Sequence, residues 1–202
     1  MDRLSSVVVV AGALVTLAGC TGSESKGEAG ASRSRVDAVE AKADEPAVDL
    51  AGFCEVYPDA ATAPKLQWPT LHGEAATAGD GRPRWLNVWA TWCKPCVEEL
   101  PRLSKWKDSI GARVDYDLVF LSGDGDPEAV TQFSKTHPEV AASLQLEDAA
   151  ALTPWLQGLG ADPPVLPVHV FLDGADRVRC VRTAGIGDAD EAAVRQLLTS
   201  LQ

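Results

Sequence analysis

Residues 85–96 read WLNVWATWCKPC and place two cysteines directly after an apolar run. The run over 85–90 is typical of a buried strand, and the residues after Cys93 have the spacing of a helix. The first amide groups of a helix are unpaired and its dipole is positive there, so a helix N-terminus at Cys93 favours the thiolate. Cys96 is expected one turn further on, where it can attack a mixed disulfide on Cys93. The stretch therefore predicts thiol–disulfide exchange, with Cys93 as the nucleophile and Cys96 as the resolving cysteine.

Two cysteines at this spacing also occur as half of a zinc site. Zinc needs a second pair of ligands, and the sequence has no other close pair of cysteines or histidines. We therefore expect a redox-active disulfide between Cys93 and Cys96, with no bound metal and no organic cofactor.

Composition and charge narrow the class of protein. The chain has 202 residues, of which 46% are hydrophobic, and this is enough for the core of one domain. Its 18 Lys and Arg residues stand against 29 Asp and Glu residues, which gives a net charge of -11. Because the phosphates of nucleic acid need a basic surface, this balance argues against a nucleic-acid partner.

The first residues have the pattern of an export signal. Arg3 precedes an apolar run over residues 7–18, which is too short to cross a bilayer as a helix. The run ends in Leu-Ala-Gly-Cys at 17–20, which resembles the bacterial lipobox. The resemblance implies cleavage before Cys20 and lipidation of that cysteine. An ordinary cleaved signal followed by an unmodified cysteine is the alternative.

This interpretation divides the chain into three parts. Residues 1–19 are expected to be a lipoprotein signal peptide. Residues 20–50 contain no aromatic side chain and are expected to form a flexible tether between the lipid and the domain. Residues 51–202 are expected to fold. The protein would then be a bacterial lipoprotein, anchored to the bilayer and facing the periplasm or the cell exterior.

The chain contains five cysteines. If Cys20 is lipidated and Cys93 pairs with Cys96, then Cys54 and Cys180 remain, in a compartment where disulfides persist. We expect a structural disulfide between Cys54 and Cys180. Two free buried thiols are the alternative.

The rest of the domain alternates strands and helices, and this order predicts an α/β fold with a mixed central sheet flanked by helices. Asp126 is predicted to cap one helix and Asp188 the last one, and Pro101 to kink the helix that follows the cysteines. The predicted strands are 63–71, 85–89, 114–122, 144–146, 168–172 and 177–182, and the predicted helices are 93–110, 127–136, 149–159 and 189–201.

In this order the segments resemble thioredoxin-fold thiol–disulfide oxidoreductases of the TlpA/ResA type. The resemblance covers roughly residues 63–201 and rests on residues 86–96, on Glu-Leu-Pro at 99–101 and on residues 166–173. It implies a thioredoxin fold with an N-terminal extension. It also implies a strand–helix insertion between Asp126 and Gly160.

The resemblance implies a buried acid below the dithiol, and its position here is Glu99. Residues three apart share a helix face, so Glu99 is expected under Cys96. A desolvated carboxyl group there can exchange a proton with Cys96. Ordinary thioredoxins place an acid on the preceding strand, where this chain has Asn87. A glutamate on the solvated face of the helix is the alternative.

Leu166-Pro167 resembles the cis-proline loop that faces the dithiol in this fold and pairs with an extended substrate. The neighbouring Pro163 and Pro164 complicate which proline is cis. We choose Pro167, because the next strand starts there. Leu166 and Pro167 are therefore predicted to bind substrate.

Trp92 directly precedes Cys93 in the sequence and His169 follows Pro167, and each has a packing role as its alternative. Trp92 is predicted to cover Cys93 and to contact substrate, and a core aromatic is its alternative. His169 lies inside the strand after Pro167 and has the reach to meet the site. A lone strand histidine is more often packed or half exposed, and that is what we expect.

The leading hypothesis is a monomeric, lipid-anchored reductase of cysteine pairs in client proteins. The resemblance implies clients in cytochrome c maturation or in copper-site assembly, and a membrane electron donor of the CcdA/DsbD type. A copper-binding chaperone that uses the same cysteines is the alternative. Copper carriers outside the cytoplasm often use thioethers, yet Met1 is the only methionine. A thiol peroxidase is excluded, because it needs Thr or Ser where this chain has Ala90.

Overall fold

The computed structural model describes residues 48–73 and 79–202. The predicted signal peptide, Cys20 and nearly all of the predicted tether lie outside the described residues, so the three-part division of the chain stays a prediction. The strands are β1 (Arg84–Trp89), β2 (Asp117–Ser122), β3 (Leu144–Gln145), β4 (Val168–Leu172) and β5 (Val178–Arg182). The α-helices are α1 (Leu50–Phe53), α2 (Lys94–Gly111), α3 (Pro127–Ser134), α4 (Leu152–Gly158) and α5 (Glu191–Ser200). Short 3-10 turns cover Pro138–Val140, Ala149–Ala151 and Asp188–Asp190.

The strands form one mixed sheet in the order β3-β2-β1-β4-β5. Strands β1, β2 and β3 are parallel, whereas β4 is antiparallel to both of its neighbours, β1 and β5. The predicted mixed sheet flanked by helices is confirmed. The predicted insertion corresponds to the segment from α3 through β3 to α4, which adds the edge strand β3 beside β2.

The central strand β1 sends its side chains alternately into two apolar layers. Trp85 and Trp89 pack in one layer with residues of α2 and α5, and Leu86 and Val88 pack in the other. All six residues of β1 are buried. Since side chains alternate along a strand, Asn87 lies on the same face as the two tryptophans. The sequence thus places one amide in an apolar layer, directly opposite α2.

The N-terminal side of the described domain is fastened to β5. Helix α1 leads into Cys54, which forms a disulfide with Cys180 in the middle of β5. Two residues after Cys54, Val56 forms a β-bridge with Val181 of β5. These links join the start of the domain to a strand that lies 126 residues further along the chain.

The predicted strand over 63–71 is wrong. Lys65 and Leu71 make only isolated bridges, to Arg177 and Leu146. The segment contains Pro64 and Pro69, and proline has no N–H to donate to a strand ladder. The segment therefore pairs at single residues and forms no strand of its own.

Other element ends shift by a few residues. Strand β2 begins at Asp117 and not at residue 114, because the Val114 amide still bonds back to Ile110 at the end of α2. The predicted helix over 149–159 begins as a 3-10 turn. Pro154 cannot donate the helical hydrogen bond of the next turn, so the α-helical part is short.

Asp188 is not the cap of the last helix. The turn before α5 is capped by Asp190, whose carboxylate accepts from the Gly187 amide at 2.7 Å. Asp188 instead accepts from Nε of Arg102 on α2 at 2.7 Å, and this contact lowers the pKa of Asp188.

Among residues 48–73 and 79–202, no helix has the length and apolar character needed to cross a membrane.

Candidate active site

The two cysteines lie where β1 passes into α2. Cys93 is the N-cap of α2, and its Sγ accepts from the amide of Cys96 at 3.3 Å. In the structure the two sulfur atoms are joined as a disulfide. When this bond is open, the same amide and the helix dipole favour negative charge on the Cys93 sulfur.

The loop before Cys93 is fixed by the end of β2. Asp124 accepts from the backbone amide of Thr91 at 3.0 Å and from its hydroxyl at 2.6 Å. The same carboxylate accepts from the hydroxyl of Ser122 at 2.6 Å. This contact was not predicted from the sequence. The available signal was a pair of polar residues directly after a buried strand, at the edge where parallel strands end together.

The two sulfurs differ in their access to solvent. Cys96 is completely buried, whereas Cys93 is 5% exposed and borders an open groove of about 390 Å³. Trp92 lines the groove with 67% of its surface exposed, so it is not a core aromatic. A disulfide that enters this groove reaches Cys93 and not Cys96.

The opposite wall of the groove comes from the loop before β4. Val165 and Leu166 line it, and 51% of Val165 is exposed. The Leu166–Pro167 peptide bond is cis, and so is the bond between Asp162 and Pro163. Leu166 lines the same groove as Cys93, and Pro167 directly precedes β4.

Glu99 is buried on the inner face of α2, with 2% of its surface exposed. Its Oε1 accepts from the side-chain amide of Asn87 at 2.9 Å, and its Oε2 accepts from the backbone amide of Ile186 at 3.1 Å. Gly185 lies between the Glu99 carboxylate and the cis-proline loop. A Cβ atom at this position would be 3.5 Å from Oε2 of Glu99 and 3.7 Å from Cγ of Pro167. The carboxylate is therefore close to the loop. The alternative of a solvated glutamate does not fit this position.

His169 is completely buried on β4, opposite Asn87 of β1. Its Nδ1 accepts from the indole nitrogen of Trp85 at 3.2 Å, and its Nε2 lies 3.4 Å from Oε1 of Glu99. The sequence predicts a packed or half-exposed side chain but not a contact with Glu99. Finding that contact requires the register between β1 and β4, which no local pattern reveals.

The described residues offer no ready metal centre. In the ranges 48–73 and 79–202, no group of three or more His, Cys, Asp or Glu side chains is placed to hold an ion. The polar groups near the dithiol are instead Asn87, Glu99 and His169, which bond to one another and to the backbone.

Known proteins are similar to this chain in sequence and in fold, although no protein-family model matches it. The thioredoxin-like protein YneN of Bacillus subtilis is 35% identical over 78 residues, which are 37% of this chain. This match spans about half the length of the Bacillus protein, 46%. The thiol:disulfide interchange protein DsbE of Pseudomonas fluorescens is 28% identical over 140 residues, 68% of this chain and 71% of that protein.

The fold itself is found in a solved structure, a DsbF homologue from Corynebacterium diphtheriae. Its TM-score is 0.55 at 18% identity, over 72% of this chain and 92% of that one. The predicted α/β fold of the thioredoxin type is therefore confirmed, and the similar sequences are thioredoxin-like and thiol:disulfide interchange proteins.

Proposed function

We propose that this chain, a thioredoxin-fold relative of the thiol:disulfide interchange proteins, is a thiol–disulfide oxidoreductase that reduces cysteine pairs of client proteins outside the cytoplasm. The arrangement of the two sulfurs carries the proposal. Cys93 caps α2 and borders the groove, while Cys96 is buried behind it. This arrangement supports Cys93 as the sulfur that meets a client and Cys96 as the sulfur that releases it.

The reaction follows from these positions. In the reduced protein, the Cys93 thiolate attacks one sulfur of a client disulfide, and the other client sulfur leaves as a thiolate. The Cys96 thiol gives its proton to the Glu99 carboxylate and then attacks Cys93. This closes the Cys93–Cys96 disulfide and releases the second client thiolate. Two electrons pass from the dithiol to the client, whose thiolates take protons from water.

Two features support work outside the cytoplasm. The N-terminal pattern that ends at Cys20 resembles an export signal with lipidation, and a buried disulfide joins Cys54 to Cys180. Such disulfides persist in oxidising compartments. We therefore propose that acylated Cys20 anchors the protein to a bilayer, with the domain as a monomer facing the periplasm or the cell exterior.

The TlpA/ResA resemblance suggests which clients such a reductase meets. These are apocytochrome c, whose haem-attachment cysteines must be reduced, or the proteins that assemble copper sites. A reductase must also be recharged, and we propose a membrane electron donor of the CcdA/DsbD type.

The reduction potential of Cys93–Cys96 tests the direction of the reaction. We expect a value below about -200 mV, in the range of thioredoxin and glutaredoxins. The measurement is equilibration with a thiol–disulfide buffer, followed by alkylation and mass analysis. An oxidised peptide with a haem-attachment Cys-x-x-Cys-His motif should then be reduced by the protein. A potential near -120 mV, typical of a disulfide donor, would contradict the reductase direction.

Replacement of the buried acid gives a prediction for the mechanism. Glu99→Gln is expected to slow turnover by at least about a hundredfold, because Cys96 loses its proton acceptor. The side-chain amide of glutamine must also face one of the two donors, from Asn87 and Ile186, that now bond the carboxylate. The free energy of unfolding should therefore fall by about 1 to 3 kcal/mol. Turnover of the peptide and urea unfolding measure the two effects.

The neighbouring glutamate supplies the control. Glu98 is exposed and pairs with Lys94 on the surface of α2 at 3.5 Å. Glu98→Gln removes one carboxylate from the same helix without touching the buried cluster, and it should leave the rate and the stability nearly unchanged. Equal rates for the two variants would remove the acid–base role from Glu99.

A further inference from the structure

His169 is a buried titratable group beside the active site that the mechanism above does not use. We infer that His169 is a positioning residue for Glu99: its Nε2–H group holds the carboxylate where it can take the proton from Cys96. The inference rests on the proposed disulfide exchange, since it assigns a role within that reaction.

The hydrogen bonds around His169 fix which ring nitrogen carries the proton. Nδ1 faces the indole nitrogen of Trp85 at 3.2 Å and the side-chain nitrogen of Asn87 at 3.4 Å. An indole N–H can only donate, so Nδ1 must accept. In the neutral ring, the hydrogen therefore sits on Nε2. The contact with Trp85 therefore assigns this tautomer of His169, in which the Nε2–H group points away from Trp85.

Nε2 faces Glu99. It is buried and has no partner with good hydrogen-bond geometry in the disulfide form, and it lies 3.4 Å from Oε1 of Glu99. Hydrogen bonds of groups that transfer protons are often long in a resting structure and shorten during the reaction. A small shift of the Glu99 carboxylate toward β4 therefore satisfies an otherwise unused buried donor.

The polar contacts of the Glu99 carboxylate all come from hydrogen-bond donors. Oε1 accepts a hydrogen bond from the side-chain amide of Asn87 and faces Nε2 of His169. Oε2 accepts a hydrogen bond from the backbone amide of Ile186. Donors from three directions fix the orientation of the carboxylate. An oriented carboxylate is placed to accept the proton of the Cys96 thiol.

His169 is not placed to carry that proton onward. Its ring is completely buried, and its second nitrogen is occupied by Trp85. Arg182 lies opposite His169 on β5, but its Nη1 donates to the carbonyl of Phe53 and its Nη2 lies 3.8 Å from Asp190. The contacts of His169 therefore support orientation of Glu99 and offer no exit for a proton.

A small aromatic disulfide, 5,5′-dithiobis(2-nitrobenzoate), separates the two steps of the reaction. Mixed with the reduced protein, it releases one coloured thiolate when Cys93 attacks it and a second when Cys96 resolves the mixed disulfide. His169→Leu removes the donor to Glu99, whereas His169→Gln keeps an N–H group with similar reach. Both variants remove Nδ1, but glutamine also carries an oxygen that can accept from Trp85, so the comparison sets the hydrogen bonds of the ring against an apolar side chain of similar size.

We expect the first release to keep its wild-type rate in both variants. The second release should be about tenfold slower in His169→Leu and within about threefold of wild type in His169→Gln. His137→Leu is the control, because His137 stacks on Phe133 and is a histidine away from the dithiol. Nitrogen NMR of the wild-type imidazole should show a protonated Nε2 and an unprotonated Nδ1.

Three results would overturn the inference. These are a second release as fast in His169→Leu as in His137→Leu, an equal slowing of both releases, and slowing in His169→Leu that His169→Gln does not restore. A wild-type protein that releases neither thiolate would instead overturn the proposed function, which keeps the two failures distinguishable.

Discussion

Cys93→Ala protein is expected to lose disulfide reduction by at least about a thousandfold, the scale on which removal of a covalent nucleophile reduces turnover. The physical reason is the difference in access between the two sulfurs. Cys93 borders the groove, whereas Cys96 is completely buried under the helix. With Cys93 gone, the remaining thiol cannot reach a client disulfide without opening α2. Reduction of the oxidised haem-attachment peptide measures the loss.

Cys96→Ala protein should behave in the opposite way. Cys93 still attacks, but nothing releases the client, so a mixed disulfide accumulates. Mass analysis of the trapped species should place the peptide on Cys93 in stoichiometric amount. A peptide trapped on Cys96 in the Cys93→Ala protein, with none on Cys93 in the matched variant, would reverse the two roles.

Loss of the second disulfide is expected to have the largest effect on stability. The bridge between Cys54 and Cys180 closes a loop across 126 residues. Under the chain-entropy account, opening it lowers the free energy of unfolding by about 4 to 5 kcal/mol. Domains of this size are stable by only about 5 to 15 kcal/mol, so the reduced protein should be close to unfolding.

The experiment is urea unfolding in the Cys93→Ala/Cys96→Ala background, where only the Cys54–Cys180 bridge remains to be reduced. The oxidised and reduced forms have the same side chains, so their difference isolates the bridge from any cavity. Mass mapping without reductant should find Cys54 joined to Cys180. A difference below about 1 kcal/mol would show that the bridge contributes little to stability, against this account.

The sequence predicted well those parts of the fold that local patterns determine. The strand at 85–89 and the helix after Cys93 are both present, because an apolar run and a helical spacing follow each other without interruption. The same proximity in sequence placed Glu99 on the helix face of Cys96, and the structure shows that this glutamate is buried. These inferences needed only the geometry of one helix.

Other parts depend on how distant segments meet. The prediction of a strand over 63–71 failed, because its two prolines lack the N–H donors that a strand ladder needs. His169 meets Glu99 only because β4 pairs antiparallel with β1 in one register, which sets His169 opposite Asn87. A shift of one residue would turn His169 to the other face of the sheet.

The link between Cys54 and Cys180 also decides how the domain bears mechanical load. A pull on the two ends of the chain travels from Cys54 across the sulfur atoms to Cys180, because this covalent path is far shorter than the 126 residues it bypasses. The loop between the two cysteines contains β1, α2 and β4, and with them both active-site sulfurs and Glu99. While the bridge stays closed, tension at the ends of the domain therefore does not stretch the backbone that holds the reacting groups.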